Sequence, residues 1–517
     1  MINKIRIIFF ASLATVIVSC GKEDLVIEPR QSIRTENAFT SRQNINAAIT
    51  GVYAYTKSLR YYGRDMLAVA EALSENGFAT GKSGRLINES NNVPNAHFVT
   101  WQVCYFSIAQ INQILAAIPK LIVTPALTPG EIAGWEGQLF FLRALLYHDL
   151  MRCYAYEPGI GVPGQDRGGV PIVLSTPGTI EDAIKALPPR ASADAVYAQI
   201  YKDLDSSLNR LVTPTNFAPA TASRVAAQAL YARVALYNGD YSKANEMATN
   251  VISLTAIFNR LTNVNSYTGS WTSQINPESI FEVRFTNPNE NPGVNESLHT
   301  TYTTLRDRGN PAVVQGFGDL VGTTTLLTQL GFTGIAANGS GGTFSGRTDD
   351  VRNLLFERGS SARGTARIEV TKFIGKNGFP NLDNVPVIRI PEVLLTRAEA
   401  RTFATNRNGS TNASFDLTAA RADLVTLKQR RYVDYMNTQQ AADVALVTSD
   451  QLFNEILRQR RIEFAMEGHR WFDFKRTGGR TGPGLSTKIG YTDFRMLAVI
   501  PQREVDGNVN LSQNFGY

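Results

Sequence analysis

The sequence predicts a mostly α fold, built of helical hairpins that carry long irregular loops and only minor β structure. Three observations predict it. Apolar residues recur at every third or fourth position over long stretches of the first and last thirds of the chain. The middle, from about 261 to 384, loses that period and turns rich in Thr, Asn and Gly. Within it, only Ile280 to Phe285 (IFEVRF) alternates apolar and polar residues as a strand does.

The N-terminus comes first. Lys4 and Arg6 precede an apolar run from Ile7 to Val18, and Ser19-Cys20-Gly21 follows. The run is too short to cross a bilayer, so residues 1–19 read as a signal peptide. The setting of Cys20, behind Ile17 and Val18, resembles a bacterial lipobox. There Cys20 would be lipidated and begin the mature protein. Residues 20–34 then form a polar tether without helical period, on which the body could swing. Lys22-Glu23-Asp24 is similar to the signal that sends Bacteroidetes lipoproteins to the outer face of the outer membrane. The expectation is a lipid-anchored outer-membrane protein facing the exterior. No later apolar run approaches the length of a transmembrane helix.

A helical region is expected over 35–260. Its first helix is Thr35 to Ser58. Trp101 to Ile118 carries Trp101, Tyr105, Ile108, Ile111, Ile114, Leu115 and Ile118 on one side, and Glu131 to Tyr154 returns after Pro125 and Pro129. Asp194 to Leu211 precedes the clearest unit, Ser223 to Ile252. There Ala232 permits close helix approach, Gly239-Asp240 makes a turn, and Tyr241 and Ala244 open the return helix. That order resembles a tetratricopeptide unit, and stacked units make a binding scaffold. The second region, 261–517, holds the loop-rich insert 261–384 and then helices at Pro391 to Thr402 and Leu452 to Glu467.

Bulk properties exclude several functions. With 43% hydrophobic and 19% charged residues, the chain is globular rather than disordered. Net charge is +6, falling to +4 once residues 1–19, with Lys4 and Arg6 and no acid, are removed. That is too little for a nucleic-acid partner. The four histidines, at 97, 148, 299 and 469, never stand at i, i+4, so no metal site is predicted, and no cofactor. Cys104 and Cys153 fall within helical patterns and read as two buried thiols, with pairing in an oxidising envelope as the alternative. Gly81-Lys82-Ser83 lacks the upstream glycine of a phosphate loop, and no Gly-x-Ser-x-Gly occurs.

Glu463 and Glu467, with His469 and Asp473 near, invite an acid/base reading. Four residues apart on one helix, however, two carboxylates repel unless cations neutralise them. Arg458, Arg460, Arg461 and Arg470 stand close in sequence. Carboxylates held by arginines stay ionised, whereas a general acid needs a raised pKa. The cluster therefore reads as a structural ion-pair network, with Trp471 and Phe472 in the core. No catalytic residue is predicted.

Three segments then carry a resemblance to the SusD/RagB family of surface nutrient-binding lipoproteins. They are Val385 to Ala400 (VPVIRIPEVLLTRAEA), Ile456 to Arg476 (ILRQRRIEFAMEGHRWFDFKR), and Ile500-Pro-Gln-Arg-Glu504 with Gln513-Asn-Phe-Gly-Tyr517. In the last, Phe515 stands where the family has proline. Ala38-Phe39 through Gly51-Val52-Tyr53 and the Trp101 helix also match. One departure is Glu75, which stands where many members carry an aspartate. The resemblance implies a SusD-like fold and no enzymatic activity. It further implies capture of a glycan and its delivery to a SusC-like TonB-dependent channel, over which the lipoprotein acts as a lid. Peptide cargo in the same role, or a tetratricopeptide-type envelope scaffold for other proteins, are the alternatives.

Sugars stack CH faces on aromatic rings and hydrogen-bond to Asn, Asp, Gln and Arg. The family places such residues in the loop before the Trp101 helix and in the irregular middle. Here these are Arg85, Asn88, Asn91, Asn92 and Phe98, then Trp271, Tyr302 and Phe317. Tyr61-Tyr62-Gly63-Arg64 is a second candidate.

Overall fold

The computed structural model describes residues 39–517 apart from 178, 215–217, 337–341, 377 and 479–487. The signal peptide, Cys20 and the tether lie outside the described residues.

The principal helices are α1 (Arg42–Thr56), α2 (Asp65–Leu73), α3 (Trp101–Ala117), α4 (Pro129–Tyr154), α5 (Ala193–Leu208), α6 (Arg224–Tyr237) and α7 (Tyr241–Ile252). In the last third follow α8 (Ile390–Ala400), α9 (Leu417–Gln429), α10 (Ser449–Glu463) and α11 (Arg470–Thr477). The strands that matter here are β1 (Gly77–Ala79), β2 (Ser279–Val283), β3 (Leu320–Gly322), β4 (Phe356–Arg358), β5 (Ile368–Val370) and β6 (Val385–Arg389). They pair antiparallel two by two, β1 with β3, β2 with β6 and β4 with β5. The fold is mostly α, as predicted.

Local chemistry sets the helix ends. Thr128 and Glu131 form a reciprocal capping box around Pro129, which starts α4 two residues before the first residue read from the period. Every residue of α4 from Phe141 to Tyr154 is buried, as is every residue of α6 from Val225 to Tyr237. Five alanines of α6, Ala232 among them, let neighbouring helices pack closely around it. Gly239 turns the chain at φ +68°, and the Asp240 side chain caps α7 by accepting from Lys243 N at 3.1 Å. The 223–252 hairpin thus forms at the residues that predicted it.

Three elements differ from expectation. Helix α10 ends at Glu463 instead of Glu467, because Met466 and Gly468 take φ values of +64° and +82°. A Cβ on Gly468 would lie 2.4 Å from Met66 O, so only glycine fits there. Strand β2 is buried along its whole length, so its alternation does not mark a wet face. Helix α2, buried on every side, has no apolar stripe that period alone would reveal.

Among the described residues a large hydrophobic core runs through both regions, from Ile45 to Leu511, beside a small cluster of Phe403, Phe453 and Leu457. Trp471 and Phe472 belong to it. Cys104 and Cys153 are buried free thiols. Among the described residues, no helix is long and apolar enough to cross a membrane.

Glu71 of α2 joins these layers. Its Oε1 accepts from Gly468 N at 2.8 Å and its Oε2 from Asn76 Nδ2 at 3.0 Å. Burial pushes its carboxyl up from the ordinary 4.5 to about 7, against those two hydrogen bonds. A carboxyl raised on folding stabilises fully below pH 4.5, and that contribution fades as pH climbs through about 7. Thermal unfolding is expected to show stability falling across that window by on the order of 3 kcal/mol from this group. In Glu71→Gln, which keeps one of the two accepting oxygens and cannot ionise, that part of the pH dependence should vanish. An unchanged pH profile in the variant would refute this assignment.

Candidate functional site

Pairing of β1 with β3 decides which candidate residues meet. It lays Gly77 beside Gly322 and Ala79 beside Leu320. Just beyond, Thr80 N donates to Asp319 O and Thr80 Oγ1 to Gly318 O, both at 2.8 Å. The loop before α3 is thereby pinned to the Phe317–Asp319 segment. A third segment joins through Ser360 N, which donates to Thr304 Oγ1 at 2.8 Å, and through Lys82 Nζ, 2.9 Å from Glu369 Oε1.

Phe317 and Arg85 come together here. The half-buried Phe317 ring has the Arg85 guanidinium 5.6 Å from its centroid and that of Arg363 at 4.5 Å. Arg85 is itself oriented by Ser83 Oγ at 2.8 Å and Glu296 Oε1 at 3.1 Å. Asp319 lies alongside, buried, with Oδ2 3.9 Å from Arg85 Nη1. Burial raises its carboxyl above the usual range. Asn88 and Asn91, on the same loop as Arg85, are exposed. Arg363, Asp319 and Glu296 were not among the candidates. Only the three arginines of Arg358 to Arg367 (RGSSARGTAR), in a turn-rich stretch, hinted at the first.

Four other candidates are corrected by burial. Phe98, 0% exposed, stacks on Phe472 with centroids 5.3 Å apart. Trp271, 2% exposed, and Tyr302, 0% exposed, both pack against Phe373. Asn92 is buried at φ +49° and donates to Leu73 O at 3.1 Å. The second candidate, Tyr61-Tyr62-Gly63-Arg64, is corrected too. Both tyrosine hydroxyls donate to Asp149 Oδ2, and Arg64 pairs with Asp65 and Glu296. None of these side chains offers a free face to a ligand. An aromatic in an irregular segment is as readily a core residue under a loop as a platform on it.

The Glu463 cluster is an ion-pair network, with other partners than those expected. Four cations, Arg352, Lys372, Arg389 and Arg431, face four carboxylates, Glu278, Asp350, Glu463 and Glu467. All eight are buried. Glu463 accepts from Arg431 Nε at 2.9 Å and Arg389 Nη1 at 3.0 Å, and Glu467 from Arg389 at 2.8 and 2.9 Å. The arginines near in sequence point elsewhere: Arg458 to Glu455, Arg460 to Asp473, Arg461 and Arg470 to Glu75. Glu75 thus ties the end of α2 to the α10–α11 corner. Burial works to raise the Glu463 carboxyl, and the Arg431 and Arg389 charges outweigh it, holding it well below the usual range. Nearby, burial lowers His469 to about 3, so its ring is neutral. Among the described residues, no group of three or more His, Cys, Asp and Glu side chains could hold a metal.

Comparison with known proteins identifies the fold and the family. A model of the SusD family matches residues 366–517, and one described as "Starch-binding associating with outer membrane" matches 26–236. Two SusD-like proteins of Formosa agariphila are each 23% identical, one aligned over 100% of this chain and 99% of its own, the other over 98% and 95%. A SusD superfamily protein of Bacteroides thetaiotaomicron superposes with a TM-score of 0.72 at 24% identity, covering 91% of this chain and 99% of that one. A putative sugar-binding protein of Bacteroides vulgatus gives 0.69 at 24%, over 93% and 99%, and a laminarin-binding SusD-like protein 0.64 at 19%, over 93% and 100%. With both ends of the chain taken up by these models, and relatives aligned from end to end, the protein belongs to the SusD-like family.

Proposed function

We propose that the protein is a non-enzymatic surface lipoprotein, lipidated at Cys20, that captures a glycan and passes it to a SusC-like TonB-dependent channel. The observation that carries the binding site is the convergence of Arg85, Phe317 and Arg363 on one partly exposed surface, with Asp319 beneath. A ring offers contact area to a sugar face, while guanidinium and carboxylate groups select hydroxyls. The starch-binding family model and the laminarin-binding neighbour support a carbohydrate ligand. Acid/base cleavage at Glu463 is opposed by Arg431 and Arg389, which hold its buried carboxyl ionised and away from any substrate.

Delivery is tested with the C-terminally tagged, full-length protein in its own host. After gentle solubilisation of the outer membrane, a TonB-dependent channel is expected to co-purify in near-equal amount. Recovery of periplasmic or inner-membrane proteins without a channel would contradict the delivery role.

A further inference from the structure

At the C-terminal end of α3, the molecule carries a groove unrelated to the Phe317 surface. Its volume is about 660 Å³, within the roughly 300–1,000 Å³ typical of ligand clefts. Phe39, Ala116, Leu121, Ile122 and Leu174 line it, with Lys120 at its edge. Ile122 is 95% exposed and Leu174 45%. Together these apolar side chains offer a surface that an apolar segment gains free energy by covering.

We propose that the groove is filled by the protein's own N-terminal segment, through Leu25-Val26-Ile27. Three observations select this occupant. Phe39, the first described residue, itself lines the groove, so the preceding chain enters the fold at its rim. Between Cys20 and Ala38, Leu25-Val26-Ile27 is the one run of three apolar residues, and Ile33 stands alone. The twelve residues from Ile27 to Phe39 span up to about 40 Å when extended, ample to turn back. Charge agrees as well. No acid lines the groove, Lys120 is exposed without an ion pair among the described residues, and the triplet is flanked by Glu23, Asp24 and Glu28.

Docking there gives the tether two lengths. With the triplet bound, only residues 20–24 separate Cys20 from the body. With it released, the whole segment 20–38 does. The body is thereby held close to its anchor or freed from it by a weak, reversible contact.

The test places a reporter thiol in the groove. Ala116→Cys is introduced into the mature chain from residue 20 in a Cys20→Ser background, where Cys104 and Cys153 are buried and slow to react. Labelling by a bulky maleimide is expected to be several-fold slower than in the same chain carrying Leu25→Ser, Val26→Ser and Ile27→Ser. Lys120→Glu should speed labelling in the same direction. Equal rates with and without the triplet would overturn the proposal. Protection that grows with protein concentration would overturn it in favour of a second copy.

Discussion

Glu463→Gln is expected to lower the stability of the folded protein by about 3–5 kcal/mol, the usual effect of breaking a buried pair by removing one partner. The buried cluster is balanced, four cations against four carboxylates. Neutralising Glu463 leaves an uncompensated positive charge among Arg352, Arg389 and Arg431, each no more than 2% exposed. The new amide would also aim N–H donors at guanidinium donors. Urea unfolding of both proteins measures the difference. The two readings of this cluster separate cleanly. A catalytic glutamate would cost activity while leaving the fold intact, whereas a structural one costs the fold. Arg431→Met alone should be nearly as damaging, and the double variant Glu463→Gln/Arg431→Met less so than the sum, because it removes one charge of each sign. Additive losses would show that the two side chains do not act as a pair.

The second large effect is on binding. Phe317→Ala is expected to weaken glycan affinity about tenfold, roughly 1.4 kcal/mol, as loss of an aromatic contact at the centre of a site commonly does. Trp271→Ala and Tyr302→Ala make the contrast. Both side chains are buried against Phe373, so their removal should destabilise by about 3–5 kcal/mol through cavity formation. Where those variants still fold, glycan affinity should stay near that of the parent. An ordering with Trp271 or Tyr302 dominant in binding would place the ligand elsewhere.

These contrasts also mark what could be read from the chain. Hairpins were legible where period, glycine turn and cap coincide, as at Gly239-Asp240 between α6 and α7. An all-round buried helix such as α2 was not, because it has no polar face to set a period against. That Glu463 and Glu467 would be ion-paired followed from like charges at i, i+4, but their partners did not. Arg389 and Arg431 stand 74 and 32 residues away from Glu463, and no local spacing encodes such a contact. Of the eight proposed ligand contacts, Arg85 and Phe317 meet, while Phe98, Trp271, Tyr302 and Asn92 are buried. Composition shows that a loop holds aromatics, not which way they face. Arg363 escaped notice because its relation to Phe317 exists only once β1, β3 and their flanking loops are brought together.

On this reading the chain binds glycan on the Phe317 surface and leaves it uncleaved. The measurement closest to it is affinity electrophoresis of the purified protein and its Phe317→Ala variant through gels containing laminarin, starch or other soluble polysaccharides, with reducing ends assayed in parallel. Retardation by at least one polysaccharide is expected, clearly reduced in the variant, with no reducing ends released. Equal retardation of both proteins, migration unaffected by every polysaccharide, or the release of reducing ends would contradict it.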